Sequence, residues 1–131
     1  MQPGEIETKL RDFFAGRSEF VAVYLFGSQA RNEARGDSDV DIGLLYAEPP
    51  ISTLIAQPFG LEADLSTLLG TPAQCVVLNS AAPDLVHRVL RDGKLVAEHN
   101  PSRRIAFEVK SRNEYFDILP TLLLYRRLAR A

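Results

Sequence analysis

The sequence predicts an α/β (α+β) fold in which a small sheet is packed by helices. An apolar run over residues 19–26 that stops at Gly27 predicts a buried strand. Apolar and polar residues then alternate with period two over residues 39–44, which predicts a second strand. Before both, apolar residues spaced three and four apart predict a first helix. Its apolar members are Ile6, Leu10, Phe13 and Phe14.

The middle of the chain predicts four further elements, each bounded by proline or glycine. Gly70 is typical of the residue that ends a helix, and Pro83 suits the first turn of one. The predicted elements are a helix at 61–69, a strand at 74–78, a helix at 84–91 and an edge strand at 94–98.

A long helix is predicted for the end of the chain, over about 101–131. Pro120 removes an N–H from it and is expected to kink or split it near Phe116. Five apolar residues between 122 and 128 are too many for one narrow stripe, which leaves two alternatives: all of them cover the sheet, or some are exposed for association. The predicted apolar stripe of this helix comprises Ile105, Val109, Phe116, Leu119 and Leu123.

A pair of acids follows a Gly-Ser turn just after the first predicted strand. Asp39 and Asp41 stand one residue apart, so period two places both side chains on one face, about 6.6 Å apart along the backbone. Such carboxylates can converge on one hard cation or bridge two cations held about 3.5–4 Å apart. Because neighbouring carboxylates repel unless a cation compensates them, the pair predicts a magnesium site.

The turn between these strands is typical of a phosphate site. Gly27 lets the backbone come close to a ligand, and Ser28 begins a predicted short helix whose N–H groups and dipole attract anions. Arg31 and Arg35 are near enough in sequence to help neutralise a triphosphate. With the two aspartates, these residues predict a nucleotide site in which the acids and the serine are the catalytic candidates.

The motif resembles that of the DNA polymerase β-like nucleotidyltransferase superfamily, and more narrowly its minimal nucleotidyltransferases (MNT), which are encoded beside HEPN-domain toxins. The resemblance implies a small mixed, twisted sheet, a Mg2+ centre of the two-metal type, and ATP as substrate. It spans nearly all of the chain. The similar positions are Gly27, Ser28, Ala30, Arg31, Ser38, Asp39, Asp41 and Ile42, followed by 64–70, 77–79, 89–93, 115–120 and 126–127.

The resembled family carries a third metal carboxylate, and the chain departs from the family at that position. Counting back from Asn79 puts the third position at Gln74. In the family this acid helps bind the metal and activates the attacking hydroxyl, whereas an amide has no charge and cannot take the proton. The exchange predicts weaker metal binding and a rate lower by on the order of 10²–10⁴.

Composition and charge limit the classes of protein that fit. The 131 residues are 46% hydrophobic, which suits one domain over 1–131, and no apolar stretch reaches the roughly 18 residues that span a membrane. The only cysteine, Cys75, indicates a reducing cytoplasm and is expected in the core. A net charge of −2 argues against a general nucleic-acid binder. Residues 101–131 nevertheless hold seven basic and three acidic side chains, which suits a solvated face or an acidic partner.

Three functions fit these observations. The first is an MNT antitoxin, a protein adenylyltransferase that binds Mg-ATP through Asp39 and Asp41 and transfers AMP to a tyrosine of a HEPN ribonuclease toxin. The second is a catalytically impaired or inactive MNT scaffold, marked by Gln74, that neutralises its partner by binding. The third, transfer to a small molecule, is disfavoured by the short chain. The expected partners are a nucleotide triphosphate and a HEPN toxin, in a homo- or hetero-oligomer, with no membrane and no direct nucleic-acid binding.

Overall fold

A sheet with helices on both faces forms the centre of the computed structural model, which describes residues 3–27, 39–48 and 59–130. Within these residues the sheet has four strands. A short 3-10 turn at Leu78–Ser80 follows the third strand. The elements are α1 (Pro3–Phe14), β1 (Phe20–Phe26), β2 (Val40–Tyr46), α2 (Phe59–Leu69), β3 (Ala73–Val77), α3 (Pro83–Asp92), β4 (Lys94–Glu98) and α4 (Pro101–Ala129).

The strand order β3-β2-β1-β4, with both parallel and antiparallel pairs, makes this a mixed sheet, as the family resemblance implied. β1 pairs antiparallel with β2 and β4, whereas β2 pairs parallel with β3. β4 lies at one edge, in agreement with its prediction as an edge strand. In this register the end of β1 and the starts of β2 and β3 meet at one end of the sheet.

The apolar core is divided between the two faces of the sheet. On one face α1 and α2 pack against alternate residues of the central strands, and the predicted apolar face of α1 is buried there at Ile6, Leu10 and Phe14. The Phe14 ring meets Phe13 and Phe20 edge-to-face, with centroid distances of 5.0 and 5.1 Å. On the other face α3 and the first half of α4 cover a second cluster. Both central strands are therefore buried on both sides.

The helices and strands of the middle of the chain confirm their predictions. α2 begins two residues before the predicted start and ends at Leu69, where Gly70 takes a left-handed conformation with φ of 70°. α3 begins with Pro83 at its first turn. The short helix predicted after Ser28 lies outside the described residues.

The predictions for α4 were wrong in two respects. The helix is continuous through Pro120 over all 29 residues, so it is not split, whereas the alternative of a kink stays a prediction. Its predicted apolar stripe does not pack on the sheet, because four of the five stripe residues are about half exposed or more. The face that packs is rotated by about one residue, or 100°, and includes Phe107, Ser111 and Tyr115.

The extra apolar residues at the end of α4 do not all cover the sheet, so that alternative is also wrong. Four of them are more than half exposed: Leu123, Leu124, Tyr125 and Leu128. Hydrophobic periodicity shows that a helix has an apolar face, but it does not show which molecule covers that face. No helix in the described part of the chain combines the length and the apolar character that a membrane span requires.

Candidate functional site

Three neighbouring strands bring the candidate residues together at one end of the sheet. Gly27 follows β1, Asp39 and Asp41 lie at the start of β2, and Gln74 lies on β3. β2 runs between the other two strands, so Asp41 pairs with Phe26 on one side and with Gln74 on the other. We call these four residues, Gly27, Asp39, Asp41 and Gln74, the acidic end of the sheet.

Gly27 is required by two separate features of this site. Its φ of 73° lies in the left-handed region that side chains disfavour. In addition, a Cβ atom on Gly27 would lie 2.4 Å from Asp41 Oδ2, much closer than van der Waals contact permits. The glycine backbone and the Asp41 carboxylate are therefore in direct apposition, and any other residue at position 27 would force that carboxylate to move.

The two carboxylates interact unfavourably when both are charged. Asp39 is exposed and Asp41 is half-buried. Burial raises the pKa of Asp41, and the charge of Asp39 raises that pKa further. A bound cation would relieve both effects, and carboxylate oxygens are the donors that Mg2+ prefers. The two aspartates therefore fit a hard divalent cation.

Gln74 contacts the acids directly. Its Nε2 donates a hydrogen bond to Asp39 Oδ2 over 3.1 Å, so the position inferred by counting back from Asn79 does lie at the acidic end. The amide orients the Asp39 carboxylate, and it offers its own carbonyl oxygen as a neutral ligand. In the described parts of the chain, no group of three or more His, Cys, Asp or Glu side chains could hold a metal ion. The donor set there is thus two carboxylates and an amide.

Three residues of the predicted nucleotide site lie outside the described residues. They are Ser28, Arg31 and Arg35, and their roles in binding phosphate stay predictions.

Cys75, His87 and His99, whose side chains could in principle ligate a metal, all have structural surroundings. Burial raises the pKa of the Cys75 thiol to about 12, and the side chain packs against the first core cluster. A ring nitrogen of His99 lies 2.8 Å from the Phe14 carbonyl oxygen. The His87 ring stacks on Tyr115 with centroids 3.7 Å apart. These contacts account for all three residues without a metal or a nucleophile.

Sequence reasoning missed the part that Asn79 plays in placing β2. Its side chain accepts a hydrogen bond from Tyr46 N over 2.8 Å and donates one to Tyr46 O over 3.0 Å. This clamp holds the last residue of β2, while the acids stand at its first residues. The signal in the sequence was an asparagine directly after an apolar strand, because such a side chain can replace a backbone partner.

Comparison with known proteins gives a family match. Residues 8–102 match the family described as "Polymerase beta, Nucleotidyltransferase". No curated protein matches the chain significantly.

Several solved structures share the fold. A toxin-antitoxin structure with AMP-PNP is 25% identical, with a TM-score of 0.81 over 95% of this chain and 98% of that one. The MNT antitoxin in complex with the tri-AMPylated Shewanella oneidensis HEPN toxin is 23% identical, with a TM-score of 0.76 over 99% and 100%; this likeness concerns the fold. A structure assigned as a minimal nucleotidyltransferase is 36% identical over 70% of this chain and 88% of that one, with a TM-score of 0.53.

Proposed function

Since the chain belongs to the polymerase beta nucleotidyltransferase family, we propose that it is an MNT antitoxin that binds Mg-ATP and transfers AMP to a HEPN-domain toxin. The observation that carries this proposal is the apposition of Asp41 to the Gly27 backbone beside a second carboxylate. Similar structures described with AMP-PNP and with an AMPylated toxin support the choice of nucleotide and acceptor. The reducing cytoplasm, where ATP is abundant, is the compartment we assign.

The acidic end and the residues that follow Gly27 in the sequence divide the work of this reaction. Asp39 and Asp41 would hold the cation, and Gly27 with Ser28, Arg31 and Arg35 would hold the phosphates. Bound Mg2+ would supply charge stabilisation at the α-phosphoryl group and on the leaving pyrophosphate. The acceptor hydroxyl oxygen forms a bond to the α-phosphorus as the bond to the bridging oxygen of the β-phosphate breaks. The hydroxyl proton passes to solvent, because Gln74 cannot accept it.

The hydrogen bond from Gln74 to Asp39 supports a second candidate function. An amide in this place brings no negative charge to the metal and no base to the acceptor. AMP transfer would then be slow, and the protein would neutralise its toxin as a stable, catalytically impaired scaffold. The two candidates share the nucleotide site and differ in whether turnover is needed.

Labelled ATP separates these candidates. The protein is incubated with Mg2+, labelled ATP and the HEPN protein encoded beside it, as wild type and as Gln74→Asp. We expect weak labelling of the toxin by the wild type and a gain of about 10²–10⁴ with the aspartate. Gln74→Asn is the matched control, because it has the size of aspartate without the charge, and it should give no gain.

The double variant Asp39→Ala/Asp41→Ala tests the site itself. It should abolish labelling and lose ATP binding in a calorimetric titration. Labelling that persists in this variant would overturn the nucleotide site. If the double variant no longer labels the toxin but still neutralises it, the scaffold function is favoured. Equal and strong labelling by the wild type and Gln74→Asp would show that another group supplies the base.

A further inference from the structure

The last half of α4 is an apolar surface that the described part of the chain leaves uncovered. We call residues 116–130 the distal segment. Residues 123–130 are all exposed, although four of them are large apolar side chains. The exposed fractions of the large apolar residues are 60% for Phe116, 53% for Leu123, 54% for Leu124, 68% for Tyr125 and 60% for Leu128.

Contacts made by the first half of α4 fix the direction in which the whole helix points. Asn100 caps the start by accepting a hydrogen bond from Arg103 N over 3.1 Å. Arg104 forms ion pairs with Glu98 and Glu108, and Arg103 donates to the Ala47 carbonyl oxygen over 2.9 Å. These contacts, with the stack of His87 on Tyr115, tie the helix to the sheet and to α3. The distal segment is therefore presented in a defined direction.

The apolar residues of the distal segment surround the helix. At 100° per residue, Leu123 and Leu124 point to sides 100° apart, and Tyr125 and Leu128 point to the side opposite Leu123. A helix with apolar side chains on several sides is normally covered on those sides inside a protein. A two-helix seam would cover only one side, so a cleft between helices of a partner fits this surface better.

The charge of the distal segment distinguishes two candidate partners, a second copy of this chain and a different protein. The distal segment carries Arg126, Arg127 and Arg130 against one acid, Asp117. Pairing with α4 of a second copy would bring like charges together. Elsewhere on the described residues, the exposed large apolar side chains are Leu68, Leu95, Ile105 and Val109. The last two lie on α4 itself, which leaves too few to receive a helix end. A different protein, apolar in its cleft and acidic at the rim, complements the segment.

We propose that the distal segment is the docking element for the toxin, and that it inserts into an apolar cleft with an acidic rim on that protein. This inference rests on the proposed function, because the toxin is the partner which that function requires. It assigns binding to one end of the molecule and nucleotide chemistry to the acidic end of the sheet.

The test measures the affinity of the purified protein for the HEPN protein encoded beside it. The variant Leu124→Ser/Tyr125→Ser/Leu128→Ser should weaken binding at least about 100-fold, since buried anchors of this kind dominate interfaces. The matched control Leu68→Ser/Leu95→Ser removes exposed apolar area elsewhere and should leave the affinity unchanged. The variant Arg126→Glu/Arg127→Glu should also weaken binding and reduce its dependence on salt.

ATP binding by the same variants distinguishes this inference from the proposed function. It should be unchanged, because the substitutions are at exposed positions outside the acidic end. If the triple serine variant binds the toxin with full affinity, the distal segment is not the docking element, and the proposed nucleotide site is unaffected. If the wild type is a dimer and the triple serine variant is a monomer, the distal segment binds a second copy of the chain, and the proposal that it docks to the toxin is overturned. Wild-type protein that binds neither ATP nor the toxin overturns both proposals.

Discussion

The acidic end of the sheet and the distal segment of α4 differ in what holds them. At the acidic end, neighbouring strands fix Asp41, which lies between Phe26 and Gln74 in the ladder and whose carboxylate rests against Gly27. The distal segment has a defined direction but exposes its apolar side chains. One region is completed by its own fold, and the other requires a second molecule.

The difference concerns what an apolar pattern means in each region. The alternation in β2 describes burial within the chain, because helices cover both faces of the sheet. The same kind of residue in α4 is mostly exposed on the isolated chain, where it adds little stability. The first prediction therefore compares a phenylalanine from each setting.

Replacing Phe14 by alanine should lower the free energy of unfolding by about 3–5 kcal/mol. Phe14 is fully buried and makes two edge-to-face ring contacts. Phe116→Ala removes the same side chain from an exposed position, and it should change stability by no more than about 0.5 kcal/mol. Urea denaturation of both variants measures the difference. A Phe116→Ala variant as unstable as Phe14→Ala would mean that the distal segment packs on its own chain.

Gly27→Ala should lower stability by about 2–3 kcal/mol, because the left-handed conformation costs about 1–2 kcal/mol and the new methyl group meets the Asp41 carboxylate. ATP affinity should fall at least about tenfold, since the carboxylate must move. Gly70→Ala is the matched control, with φ of 70° and open space around its Cβ position. It should cost only the strain of the left-handed conformation, about 1–2 kcal/mol, and leave ATP affinity unchanged.

Denaturation and calorimetric titration of the two glycine variants give the result. Equal losses of stability with equal ATP affinities would show that only backbone strain matters at position 27. Loss of ATP affinity in Gly27→Ala alone would sharpen the assignment of the acidic end as the nucleotide site.

Sequence reasoning reached the fold, and it predicted that the two acids and Gln74 lie together, because both inferences depend on local patterns. Period two placed Asp39 and Asp41 on one strand, and a count along the chain placed Gln74 beside them. The hydrogen bond from Gln74 to Asp39 could not be predicted, because it depends on the parallel register of β2 and β3. The packing face of α4 was missed for a similar reason, since tertiary contacts at Phe107 and Ser111 decide it.

The last prediction compares a thiol from each region. Burial raises the pKa of Cys75 to about 12, so at pH 8 its thiolate fraction is about 10³ times lower than that of an ordinary cysteine. A disulfide reagent should therefore modify the native wild type very slowly. The double variant Cys75→Ala/Leu128→Cys moves the thiol to the exposed distal segment, where it should react rapidly.

The same shift in pKa gives the smallest effect on stability. The folded state keeps the Cys75 proton at a pH where the unfolded state has lost it, so the contribution of this group is present below about pH 9 and falls as pH rises toward about 12. Unfolding measured across this range should show the decline in the wild type and a smaller one in Cys75→Ala. A native Cys75 that reacts as fast as the thiol at position 128 would contradict its burial in the sheet.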